Sequence, residues 1–133
     1  GNKRRSILKA MSPLPVVSGK ATLELDGPSS KFVIGEARPE FYFRLAKDER
    51  FGIVKLGNLK GNRVVERWTI VPVTKEVVQE RDEVANFRHQ VGDDLYKLWP
   101  QKPLEPGEYA IIQFTDGKAN TQVWDFSIAS GAK

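Results

Sequence analysis

Pro103-Leu-Glu-Pro-Gly-Glu-Tyr-Ala-Ile-Ile-Gln-Phe-Thr-Asp-Gly-Lys-Ala-Asn-Thr-Gln-Val-Trp-Asp-Phe-Ser-Ile128 decides how this chain is read. Pro106 and Gly107 bend the backbone, and Tyr109 to Thr115 then alternates as a strand does. Asp116-Gly117 is a two-residue hairpin signal, because both positions tolerate positive φ. On the return, Trp124, Phe126 and Ile128 fall on one face of a second strand and are expected in the core. Leu104, Pro106, Gly107 and Tyr109 together form a structural corner.

Working outward, the same grammar recurs upstream. Ala21-Thr-Leu-Glu-Leu-Asp26 places Leu23 and Leu25 on one face, and Gly27-Pro-Ser-Ser30 turns the chain. Phe32-Val-Ile34 is a short strand. Phe41, Phe43 and Leu45 share a face opposite Tyr42 and Arg44. Lys47-Asp-Glu-Arg50 reads as a charged turn, followed by a strand from Phe51 to Leu56. Gly57-Asn58 and Gly61-Asn62 frame a hairpin tip, and Arg63 to Val71 is a long strand ending at Pro72. Leu95 to Trp99 is strand-like after the turn Gly92-Asp93-Asp94, which makes residues 86–99 a hairpin. Between them, Val77, Val84, Phe87 and Val91 fit a helical stripe, so a short helix near residues 75–85 competes with a strand.

Strands recurring every ~8 to 12 residues with turn signals between them predict an all-β chain, an antiparallel sandwich of about seven to nine strands. Residues 1–20 combine basic side chains with Ser12-Pro-Leu-Pro15 and read as a flexible basic arm. Residues 21–133 read as a single β-sandwich domain.

Leu104-Glu-Pro-Gly-Glu-Tyr109 resembles the tyrosine corner of immunoglobulin-like and fibronectin-type sandwiches, with one residue fewer between Leu104 and Tyr109 than in the fibronectin version. The chain as a whole resembles an uncharacterised group of bacterial exported proteins ending in such a Pro-Gly-Glu-Tyr hairpin. The resemblance implies a fold and an extracytoplasmic setting, and carries no activity with it.

At 133 residues the chain is long enough to bury roughly two-thirds of the surface its unfolded form exposes. It has no Cys, which excludes thiolate zinc sites and disulfide scaffolding. The net charge of +4 is misleading, since the first twenty residues carry Lys3, Arg4, Arg5, Lys9 and Lys20 and no acid. Without those five, sixteen basic residues face seventeen acidic ones. A phosphate-binding domain keeps its basic excess on the folded surface, so nucleic acid is not the expected partner. No run approaches the ~20 apolar residues of a membrane span. Because the sequence begins with Gly, an upstream signal or anchor is the expected origin of its start.

Chemistry-bearing groups are sparse. His89 is the one histidine; beside Asp93 and Asp94 its expected role is that of a surface residue at a turn. Copper-carrying sandwiches end in a similar hairpin but need several His or Met ligands, and this chain has His89 and Met11 alone. No cofactor is expected. Carboxylate pairs for glycoside hydrolysis exist on paper, as Glu24 with Asp26, Glu105 with Glu108, or Asp116 with Asp125, all at positions where a polar face is expected anyway. Gly57 to Gly61 lacks the Lys-Ser/Thr ending of a phosphate loop. Lys55, Lys60, Arg63 and Arg67 cluster near that tip as a weak anion or polysaccharide contact. Trp68 and Trp99 are expected in the core, with a binding platform as the alternative.

These readings converge on a non-catalytic binding or interaction module of a bacterial envelope or secreted protein, with a protein or polysaccharide partner engaged by loops or an exposed edge strand. A periplasmic, secreted or membrane-anchored exterior location goes with it. The alternatives are a polysaccharide-active enzyme or accessory domain using surface carboxylates, and a structural subunit assembling through an edge strand.

Overall fold

A computed structural model describes residues 20–45, 49–70, 77–115 and 122–133. The arm up to residue 19, Met11, residues 71–76 with Pro72, and the Asp116-Gly117 turn lie outside them. Among the described residues there are twelve strands and no helix. The all-β reading therefore holds, with more strands than the sequence pattern separates. Three of them, β2 (Val33–Ile34), β5 (Gly57–Leu59) and β8 (Asp82–Val84), are only two or three residues long.

The strands form three sheets. In the first, β6 (Asn62–Ile70) runs between β1 (Lys20–Leu25) on one edge and β5 followed by β7 (Val77–Glu80) on the other. The central sheet has the order β2, β12 (Gln122–Ile128), β11 (Gly107–Thr115), β4 (Glu49–Lys55), β8; its pairings are antiparallel except β2 with β12. In the third, β10 (Leu95–Pro100) lies between β3 (Phe41–Arg44) and β9 (Asn86–Gln90). The helix expected near residues 75–85 is corrected by β7 and β8, which cover residues 77–80 and 82–84. Val77 to Glu80 bond to β6 and Asp82 to Val84 to β4, so ladder partners outweigh the helical spacing of Val77 and Val84.

The central sheet is covered on both faces. Tyr109, Ile111, Phe126 and Ile128 join Phe51, Ile53 and Leu98 in one core, with Phe41 and Phe43 of the third sheet packed against it. Ala110, Ile112 and Val123, from the opposite face, meet Leu23, Leu25 and Val65 of the first sheet. Ile111 and Ile112, adjacent in sequence, are 1% and 0% exposed. A strand with apolar cover on both sides reads as an unbroken apolar run rather than an alternation.

A β-bulge shapes the first sheet. The register of β1 on β6 shifts between Leu23 and Glu24, so Leu23 faces Glu66 while Leu25 faces Arg63. Residues three apart in a regular strand point to opposite faces; the extra residue, Val65, puts Arg63 and Glu66 on the same inward face as Leu23 and Leu25. Two ionisable side chains are thereby carried under the sheet.

Candidate binding groove

Arg63 is 1% exposed, and every nitrogen of its guanidinium is engaged. It donates Nη1 to Asp125 at 2.7 Å, Nε to the Gly27 carbonyl and Nη2 to the Asp26 carbonyl. Glu108 stands 3.6 Å from the same Nη1, and accepts from the Ser30 amide and the Ser127 hydroxyl. Arg63 is thus a clamp between the first and central sheets, and its assignment to a surface binding cluster is corrected by its burial. A fully satisfied network of this kind is the one arrangement in which a buried ion pair is tolerable.

The other expected contacts separate. Lys55 and Arg67 line one cleft of about 410 Å³ together with Arg81, Glu80 and Asp82. Lys60 is exposed at the tip, with φ 51° ahead of Gly61 at φ 85°. Trp68 is half-buried and donates its indole N–H to Glu66 at 3.2 Å. Burial of Glu66 pushes its carboxyl above the usual range, against the opposing pull of Arg81 at 3.4 Å and the Trp68 hydrogen bond. Trp99 is also half-buried, on the outer face of the third sheet, 5.6 Å from the Phe87 ring.

At the corner, the Tyr109 hydroxyl donates to the Glu105 carbonyl at 2.8 Å. Leu104 is buried beneath it, Pro106 is exposed, and Gly107 takes φ 154°, which a side chain would strain. The paired carboxylates are in structural use: Glu24 accepts from Thr22 and Asn62, Glu108 belongs to the Arg63 network, and Asp125 faces Arg63. His89, exposed on β9, sits opposite Lys97, and Asp94 is held by Arg44 at 2.6 Å. Among the described residues no three His, Asp or Glu side chains are grouped as metal ligands. No helix there is long and apolar enough to cross a membrane.

A different place is concave and apolar. Between β3 of the third sheet and β2 and β12 of the central sheet, the core that holds Phe51, Ile111 and Phe126 opens into a groove of about 400 Å³. Its walls are Phe32, Ile34, Phe41, Phe43, Trp124 and Phe126, with Glu36 and Glu40 also lining it. Trp124, expected in the core, packs against it half-buried, 5.9 Å from Phe43. The consecutive residues Phe41, Tyr42 and Phe43 all line the groove. Neighbouring residues of one strand point to opposite faces, so they share a cleft only where the strand presents its edge to it. Among the described residues, β3 pairs with β10 alone. Sequence reading missed this groove because aromatic residues at period two look like core; the available signal was three aromatics in a row at Phe41-Tyr42-Phe43, with only two of them able to face inward.

The groove is an apolar, aromatic concavity beside an edge strand of an all-β scaffold. Comparison with family models, with curated proteins and with solved structures finds no match to the chain.

Proposed function

We propose that this chain is a non-catalytic binding module of a bacterial envelope or secreted protein, and that it takes an extended, alternately apolar segment of a partner protein into the groove beside β3. The observation that carries the reading is the coincidence of an edge strand with an aromatic cleft. An added strand bonds its backbone to the edge and lowers every second side chain into the pocket, which gives affinity and specificity from one geometry. The Tyr109 corner supports an immunoglobulin-like form of the sandwich, in which edge strands are common docking sites.

A random-sequence peptide library displayed on phage tests this. Peptides selected on the protein are expected to alternate apolar and polar residues and to lose binding to the Phe32→Asp variant. Selected peptides without that alternation, or equal binding to the variant, overturn it. Assembly through the same edge, with a second copy as the partner, is a neighbouring reading. It is distinguished by a sedimentation coefficient that rises with protein concentration.

A further inference from the structure

The outer face of the third sheet is built unlike an ordinary wet sheet face. Ladder register places Tyr42, Lys97 and His89 in one row across β3, β10 and β9, with Trp99 and Phe87 side by side in the next. Residues directly opposite in a ladder share a face, and Phe41 and Leu98 face the core, so this set faces outward. Tyr42 is 56% and Phe87 45% exposed. Trp99 backs the Phe87 ring, and the Lys97 ammonium lies 4.9 Å from the centre of the indole. A solvated antiparallel face normally carries polar side chains; single exposed aromatics are ordinary, but a group of them framing a polar row is not.

The charges on this face select the ligand. Lys97 bonds Glu40 at 3.0 Å, and that bond holds its pKa above the ordinary lysine value. Arg44 bonds Asp94 at 2.6 Å. Both permanent cations are therefore compensated on the sheet itself, and a polyanion gains little long-range attraction here. What remains is a neutral surface with two exposed rings about 12 Å apart on the sheet diagonal, with an ammonium, carboxylates and an imidazole among them. Flat apolar faces beside hydrogen-bonding groups match the two sides of a pyranose, whose ring hydrogens stack on aromatics and whose hydroxyls seek donors and acceptors.

We propose that the outer face of β3, β10 and β9 binds a neutral polysaccharide, with Tyr42 and Phe87 as stacking rings and Lys97, Glu40 and His89 as hydroxyl partners. Tyr42 and Glu40 also stand at the groove, where β3 presents its edge, whereas Lys97, His89 and Phe87 do not line it, so the polysaccharide reading does not require a peptide in the groove. Affinity electrophoresis through gels containing soluble β-glucan, xylan, mannan or glycol chitin, with hyaluronate as the anionic control, tests the assignment. Retardation is expected in at least one neutral gel, weakened about tenfold by Phe87→Ala and by Tyr42→Ala. Both positions are exposed, so folding is expected to survive. Phe32→Asp, in the groove, is expected to leave retardation unchanged. Mobility unaffected by every neutral polysaccharide overturns the proposal. So does retardation by hyaluronate alone, and so does retardation that neither Phe87→Ala nor Tyr42→Ala reduces.

Discussion

The guanidinium of Arg63 on β6 and the carboxylate of Asp125 on β12 meet at 2.7 Å, with side-chain exposures of 1% and 2%. Their strands belong to different sheets, so the pair fixes how the first sheet sits on the central one. The bulge at Val65 aims Arg63 inward, and the alternation that sends Trp124 and Phe126 into one core turns Asp125 toward the other. Desolvating two charges is costly, and removing one partner leaves the cost without its compensation.

Arg63→Met is accordingly expected to destabilise by about 3 kcal/mol or more, since Asp125 and Glu108 lose their shared cation. Combining it with Asp125→Leu is expected to recover much of that loss. Urea midpoints of the two variants check this; a single variant as stable as the parent would show that the pair does not clamp the sheets.

Tyr109→Phe removes one hydroxyl, whose partner is the Glu105 carbonyl at 2.8 Å. A loss of about 1 kcal/mol in denaturant unfolding is expected.

Lys60 and Gly61 form the two-residue link between β5 and β6, both with positive φ, as a type I′ turn demands. Lys is poorly suited to the first of these positions. Lys60→Asn supplies the favoured Asn-Gly pair and is expected to raise stability by up to about 1 kcal/mol, seen as a higher melting temperature.

Glu66 is held above its ordinary pKa by burial, with Arg81 and Trp68 pulling the other way. Between the unfolded and folded pKa values the native state binds the proton more tightly, so stability falls as pH rises through that window and levels off above it. Glu66→Gln is expected to remove this slope. Unfolding midpoints measured across the acid range in both proteins check it; parallel profiles would mean that burial does not govern Glu66.

Much of the fold was legible because local rules were enough for it. The corner at Leu104 to Tyr109, the tip at residues 57–62 and the hairpin at 86–99 each depend on turn residues or alternation within a short window. The covering of the central sheet on both faces was missed, since Tyr109 to Thr115 was taken as an alternation although its unbroken apolar run from Tyr109 to Ile112 fits cover on both sides. The strands at residues 77–84 depend on ladder partners in β6 and β4, and a helical stripe competed with them on paper. Arg63 looked like surface charge beside a turn; only the one-residue shift opposite Leu23 and Glu24 turns it inward. The groove followed the same logic, because Phe41, Phe43 and Trp124 show their exposed side only once β2 and β3 are placed apart.

The most direct test of the binding account is amide hydrogen exchange at β3 in the presence of a phage-selected peptide. If the peptide adds as a strand beside the groove, exchange across residues 41–44 slows on binding, while β9, on the far edge of the same sheet, keeps its rates. Protection at β9 or elsewhere with β3 unchanged would contradict the account.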